Sequence, residues 1–198
     1  LQPSKEKKIV KSSSKKIAIT ATFTALTIGL NLSPIKIPAP YAPFLIYQVW
    51  EIPIVAAFLL YGISVGILIA VVNTLVLLAI FPGALLTGPL YNLAAIFSMI
   101  LGMFLGISLA KTIGWNSRKH RLRLASIATL FGVIFRVGIM SVVNWAFLRF
   151  PPPVGFSLTE EVILFYLPLI TFFNATLALY TIPLGYAIAE TIRMHLKI

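Results

Sequence analysis

Four asparagines interrupt otherwise apolar runs of this chain: Asn73, Asn92, Asn144 and Asn174. A side-chain amide carries two N–H donors and a carbonyl acceptor, and in apolar surroundings each needs a partner. Two uses fit. One is hydrogen bonding between helices, worth about 1 kcal/mol apiece. The other is the polar floor of a pocket. Aromatic residues crowd the same stretches: Tyr41, Phe44, Tyr47, Trp50, Tyr91, Trp145, Phe147, Phe150, Phe165, Tyr166, Phe172 and Phe173. A belt of interfacial rings accounts for many of them. Their density beside Asn144 and Asn174 also suits a flat heterocycle, with rings for its faces and amides for its edge.

Arg136 is the one cation deep within an apolar run. A lone arginine there is costly, so it needs an acidic mate or must snorkel to the interface. Glu51 and Glu190 are the candidate mates, and a structural role in the cytoplasmic half of its helix is expected. His120 and His195 flank basic segments and read as surface residues. The pattern holds no carboxylate pair, His–carboxylate relay, phosphate loop or metal-ligand spacing, so an enzyme is not indicated.

These residues are set in a chain of 198 residues, 59% hydrophobic and only 11% charged, with no Asp and no Cys. Soluble domains carry about a quarter charged residues. Disulfides, thiolate metal sites and a Cys nucleophile are excluded. The net charge of +11 falls in clusters that punctuate apolar runs, a membrane pattern and not a nucleic-acid face. Residues 1–16, with six lysines around Ser12, Ser13 and Ser14, read as a mobile basic tail on the cytoplasmic side. Residues 17–198 read as one membrane domain.

Crossing a bilayer takes roughly 20 apolar residues of helix. The runs are 17–32, 49–81, 85–110, 124–148 and 162–192. Asn31 to Pro34 is expected as a turn. The Pro-rich segment 33–48 is too broken for a helix and too apolar for a solvent loop. The 33-residue run 49–81 is one helix or two, and charge parity decides. A break at Tyr61-Gly62 brings thirteen of the sixteen Lys and Arg residues to the cytoplasmic side, as the positive-inside tendency asks. The expectation is an all-α integral membrane protein, a six-transmembrane-helix bundle with both termini cytoplasmic. The Pro-rich loop after helix one caps a cavity from the extracellular side. The second helix is short for a span. Asn92, Asn144 and Asn174 then share the outer half, and Asn73 lies deeper.

Small residues let helices approach in lipid. Gly62 and Gly66, and Gly102 and Gly106, are read as packing within the bundle. Ala18, Ala21 and Ala25 form a flat stripe on helix one that suits either internal packing or another protein's helix.

The segments IKIPAPYAPFLIYQVWEIP, TGPLYNLAA, VVNWAF and LPLITFFNATLALY resemble the S components of energy-coupling factor (ECF) vitamin transporters, most of all the riboflavin-specific members. The resemblance implies a substrate-binding subunit that takes riboflavin from outside, with no bound cofactor. It implies as partner an energy-coupling module, one transmembrane scaffold and two ATPases, docked on Ala18, Ala21 and Ala25. By position, Asn144 and Asn174 match amides at the flavin's polar edge, with Asn92 a third. Tyr41, Tyr47, Gln48, Trp145 and Phe173 complete the expected site. Riboflavin-specific members carry a polar residue one turn beyond the helix-six Asn, where Leu177 stands here. The alternatives are an S component for another vitamin or precursor, thiamine- or queuosine-related, and a membrane scaffold whose asparagines only join helices.

The expected topology has a direct test. A cysteine at Arg118 should resist membrane-impermeant thiol reagents in intact cells, and one at Pro152 should react. Reversed labelling rejects the six-helix arrangement.

Overall fold

The computed structural model describes residues 4–81, 87–115 and 120–196, with side chains from Ile17 onward. Six helices form among them: α1 (Ser4–Leu32), α2 (Glu51–Tyr61), α3 (Ile63–Ile80), α4 (Thr87–Thr112), α5 (Arg121–Phe147) and α6 (Glu160–Leu196). Four, Ile63–Ile80, Gly88–Thr112, Arg121–Phe147 and Glu160–His195, are long and apolar enough to cross a membrane. The chain is a membrane protein by that measure. The apolar parts of α1 (Ile17–Leu32) and α2 are shorter. Pro82, Gly83, Arg118 and Lys119 lie outside the described residues.

The long run 49–81 divides at Gly62. Its φ of 93° is open to glycine and strained for other residues. Its N–H returns to the Phe58 carbonyl at 2.8 Å and closes α2. The eleven residues of α2 rise about 16 Å, far less than a bilayer core. The helix is nonetheless the centre of the molecule, with Glu51 through Phe58 all buried. It packs on α1, α3, α4 and α6. Ile54, Val55 and Phe58 join Ile69, Ile96, Met99, Met103 and Ile182 in the main core. No lipid-facing stripe is left on its first two turns, so its short length is compatible with its place.

The six helices make the fold helical as expected, and segment 33–48 adds an antiparallel hairpin of β1 (Ile37–Ala39) and β2 (Ala42–Tyr47), pairing Ile37 with Tyr47 and Pro38 with Ile46. Prolines break a helix there, but an edge strand tolerates them because the missing N–H can face away from the ladder. Helix α1 runs on to Leu32, so the turn expected over Asn31 to Pro34 is confined to Ser33 and Pro34, where the Ser33 N–H returns to the Leu30 carbonyl at 3.3 Å. Asn31 is buried and donates to Asn73 Oδ1 at 3.3 Å. The apolar setting makes this amide pair a better fit than a solvent turn. At the other end α1 begins at Ser4, so the helix runs back through most of the basic segment 1–16.

The glycines set the helix spacing. A Cβ on Gly102 of α4 would stand 2.3 Å from the Phe131 carbonyl oxygen and 2.7 Å from Phe135 Cβ, both on α5. A Cβ on Gly106 would stand 2.9 Å from Phe131 Cβ, and one on Gly66 2.9 Å from Phe58 Cβ. Gly102→Ala should therefore destabilise the detergent-solubilised protein by about 1–3 kcal/mol through overpacking. Gly29→Ala, with nothing within 4 Å, should be neutral or mildly stabilising. Thermal unfolding of the two variants checks this, and an unchanged Gly102→Ala midpoint rejects the close α4–α5 approach.

Candidate functional site

A cavity of about 430 Å³ opens where the hairpin, the start of α2, the start of α4, the end of α5 and the first half of α6 converge. The hairpin supplies Phe44, Leu45 and Ile46, followed by Gln48 and Trp50. Tyr166 of α6 packs edge-on against Phe44, ring centroids 5.1 Å apart. The loop after α5 folds back and adds Phe156 and Leu158. Its bends are held by Phe156 N–H and Leu158 N–H, both donating to the Leu148 carbonyl at 3.2 Å. Gly155 lets this loop lie on the end of α5, because a Cβ there would stand 2.3 Å from the Phe147 and Phe150 carbonyl oxygens.

The floor is polar. Glu51, at the first turn of α2, meets Arg136 of α5 in a two-armed ion pair, Nη1–Oε2 at 2.5 Å and Nη2–Oε1 at 3.0 Å. Both side chains are almost fully buried, at 3% and 2% exposure. The α2 N-terminus adds its own positive end to the carboxylate's surroundings. Arg136 Nε donates to Asn174 Oδ1 at 3.0 Å, and Nη1 also approaches Met99 Sδ at 3.6 Å. Asn174 Nδ2 donates to the Ile170 carbonyl at 2.9 Å, and Asn144 Nδ2 to the Met140 carbonyl at 2.7 Å. Each amide spends one N–H on its own helix and keeps one N–H in reserve. Gln48 lines the same space, and its buried Oε1 has no partner among the described residues. Its backbone is fixed instead, the carbonyl accepting from Tyr180 OH at 2.6 Å.

Of the residues expected from sequence, Gln48, Asn92, Asn144, Phe173 and Asn174 line this cavity. Leu177 lines it as well. Tyr41, Tyr47 and Trp145 are not among the lining residues. Tyr41 OH and Tyr47 OH stand 2.6 Å apart, and Tyr47 OH meets Thr176 Oγ1 at 2.6 Å. This relay fastens the hairpin to α6 behind Phe173, whose ring lies 4.8 Å from that of Tyr47. Burial, then the Tyr47 partner, pushes the Tyr41 phenol up to about 12. Trp145 is 42% exposed, with the Arg149 guanidinium 4.6 Å from its ring centre. That cation–π contact holds it on the outside of α5. Asn73 belongs to the α1–α3 contact through Asn31 and not to the cavity.

Arg136 is the main correction. Expected as a structural residue in the cytoplasmic half of α5, it sits in the cavity floor beside Asn174. Sequence reasoning held Glu51 as a candidate mate but could not select it over Glu190. The structure places Glu190 at the far end of the bundle, between Arg121 at 2.8 Å and Arg193 at 2.6 Å. The loop residues Phe156 and Leu158 carried no sequence signal beyond being apolar within a Pro-rich loop. The clue to Arg136 on α5 was its spacing: Arg136, Met140 and Asn144 stand four residues apart along one buried helix face.

No protein-family model and no curated protein matches the chain. Among solved structures, its fold is similar to that of the S component of a bacterial ECF transporter, with a TM-score of 0.61. The match covers 93% of this chain and 96% of that one at 19% identity. At that identity the likeness is one of fold.

Proposed function

We propose that this chain is the substrate-binding (S) subunit of an ECF-type importer, capturing riboflavin from outside the cell. It passes the vitamin inward with an energy-coupling module of one membrane scaffold and two ATPases. The observation that carries the reading is the joint presence, in one cavity, of Asn92, Asn144, Asn174 and Gln48 beneath apolar and aromatic walls. Ligand sites of this kind are mostly apolar with a few placed polar groups and occupy about 300–1,000 Å³. The similarity in fold to a bacterial S component adds to it.

The two ends of the bundle differ in the way an importer needs. The cavity opens at the hairpin end. Lys111, Arg121, Arg123 and Arg193 gather at the opposite end, the one that the positive-inside tendency assigns to the cytoplasm. Both termini lie on that side in this reading. Ala18, Ala21 and Ala25 are exposed on α1 and serve as the face that meets the coupling module. A second reading, another vitamin or precursor, is favoured by one observation: Leu177 lines the cavity where riboflavin-specific S components carry a polar residue.

Isothermal titration of riboflavin separates these readings. Asn144→Ala and Asn174→Ala each leave a ligand group unpaired, at about 1–3 kcal/mol. That is roughly a 5- to 150-fold weaker dissociation constant. Asn73→Ala should lower stability through the lost Asn31 contact and leave affinity unchanged. Folded Asn144→Ala and Asn174→Ala proteins that bind as tightly as wild type place the ligand elsewhere. Wild type that ignores riboflavin but binds another vitamin retains the transporter and rejects the flavin.

A further inference from the structure

Among the described residues that line the cavity, Glu51 and Arg136 alone carry full charges. They face each other in a two-armed pair. Both carboxylate oxygens of Glu51 accept from Arg136. A guanidinium has five N–H donors, and contacts to Glu51, Asn174 and Met99 use four of them. The floor therefore holds two charges and presents no net charge.

Resting on the reading of this cavity as a ligand site, we propose that the Glu51–Arg136 pair is a charge-selectivity element. It makes the cavity accept uncharged ring ligands and reject anions and cations alike. An ion entering this space gives up its hydration shell. Walls such as Leu45, Ile170 and Leu177 return nothing for that loss, and each floor charge already has its counter-ion. An uncharged ring gives up much less, and the spare N–H groups of Asn144 and Asn174 compensate it. Asn174 is drawn into the same device, because the Arg136 Nε–H fixes which end of its amide faces the guanidinium.

The pair predicts an exchange of selectivity when either half is neutralised. Glu51→Gln leaves a guanidinium without a counter-ion, and Arg136→Gln leaves a carboxylate without one. Three probes with one ring report the outcome: nicotinamide is uncharged, nicotinate is an anion, and 1-methylnicotinamide is a cation. Their dissociation constants are read by calorimetry on the full chain in detergent. Wild type should favour nicotinamide over both ions. Glu51→Gln should gain nicotinate binding by on the order of tenfold or more, and Arg136→Gln should gain 1-methylnicotinamide similarly, as close charge pairs do. The double variant Glu51→Gln/Arg136→Gln should return to the wild-type order. If one single variant fails to fold, the other single variant against the double decides. Wild type too weak to measure with all three probes leaves the gain in the single variants as the deciding result. Preference of wild type for either ion, or single variants that gain neither ion, overturns the proposal. Riboflavin titrated in parallel reports on the flavin assignment separately. A charge switch in a protein that binds no riboflavin rejects the flavin and keeps the selectivity element.

Discussion

Everything around the cavity is arranged so that two charges can stay buried. An unpaired carboxylate or guanidinium inside a bundle costs several kcal/mol, and a matched pair recovers that loss only with near-ideal geometry and every remaining donor satisfied. Glu51 and Arg136 come close to both terms, with two direct contacts and further bonds to Asn174 and Met99 that leave one guanidinium N–H over. Replacing such a pair with well-packed apolar residues is often neutral or stabilising, whereas removing one partner costs about 3–5 kcal/mol. Stability alone is therefore a poor reason for its presence. Its position in the floor of a cavity lined by four amide side chains gives a functional reason instead.

The pair also explains why α2 is short and central. Glu51 has to reach the α5 side chain at mid-depth, so the helix that carries it starts well inside the bundle. The chain must enter there from the hairpin, and backbone away from helix is tolerated at membrane depth only where protein or a cavity covers it. The hairpin satisfies that condition by pairing with itself. Tyr47 to Thr176 and Tyr180 to the Gln48 carbonyl then tie its exit to α6. Close approach completes the enclosure. Gly185 of α6 comes so near α2 that a Cβ would stand 2.5 Å from Val55 Cγ1, and Gly132 of α5 meets Ile182 of α6 in the same way.

What could be read from the sequence was local or additive. The break at Gly62 followed from charge parity, a sum over the whole chain, and glycine supplied the backbone that the break needed. The grouping of Asn92, Asn144 and Asn174 followed from their depth along separate helices, which counting residues from the helix ends estimates well. What could not be read depended on rotation of one helix against another. Trp145 follows Asn144 directly, so about 100° of helix rotation carries it out of the cavity that Asn144 faces. The choice of Glu51 over Glu190 for Arg136 is a contact across 85 residues, and spacing along α5 has nothing to say about it. The hairpin was missed because its strands are short and rich in proline, which depresses strand and helix propensity together.

The two ends of α2 are anchored to α6 by different chemistry. At the cavity end the ties are the Arg136–Asn174 contact and the Tyr180 bond to Gln48. At the basic end, Arg193 of α6 donates to the Leu59 carbonyl while also pairing with Glu190, which in turn holds Arg121 of α5. Helix α2 is thus tied to α6 near both of its ends. The helix that packs on α2 and α3 from the other side is α1, and its Ala18, Ala21 and Ala25 face is left open. In the proposed importer, a coupling module docked on that face would press on α2 through Phe23 and Leu30, which pack against the core. The force would then arrive at Glu51 and the cavity floor. Substrate release is coupled to docking, in this view, by the stiffness of one eleven-residue helix and the ion pair at its start.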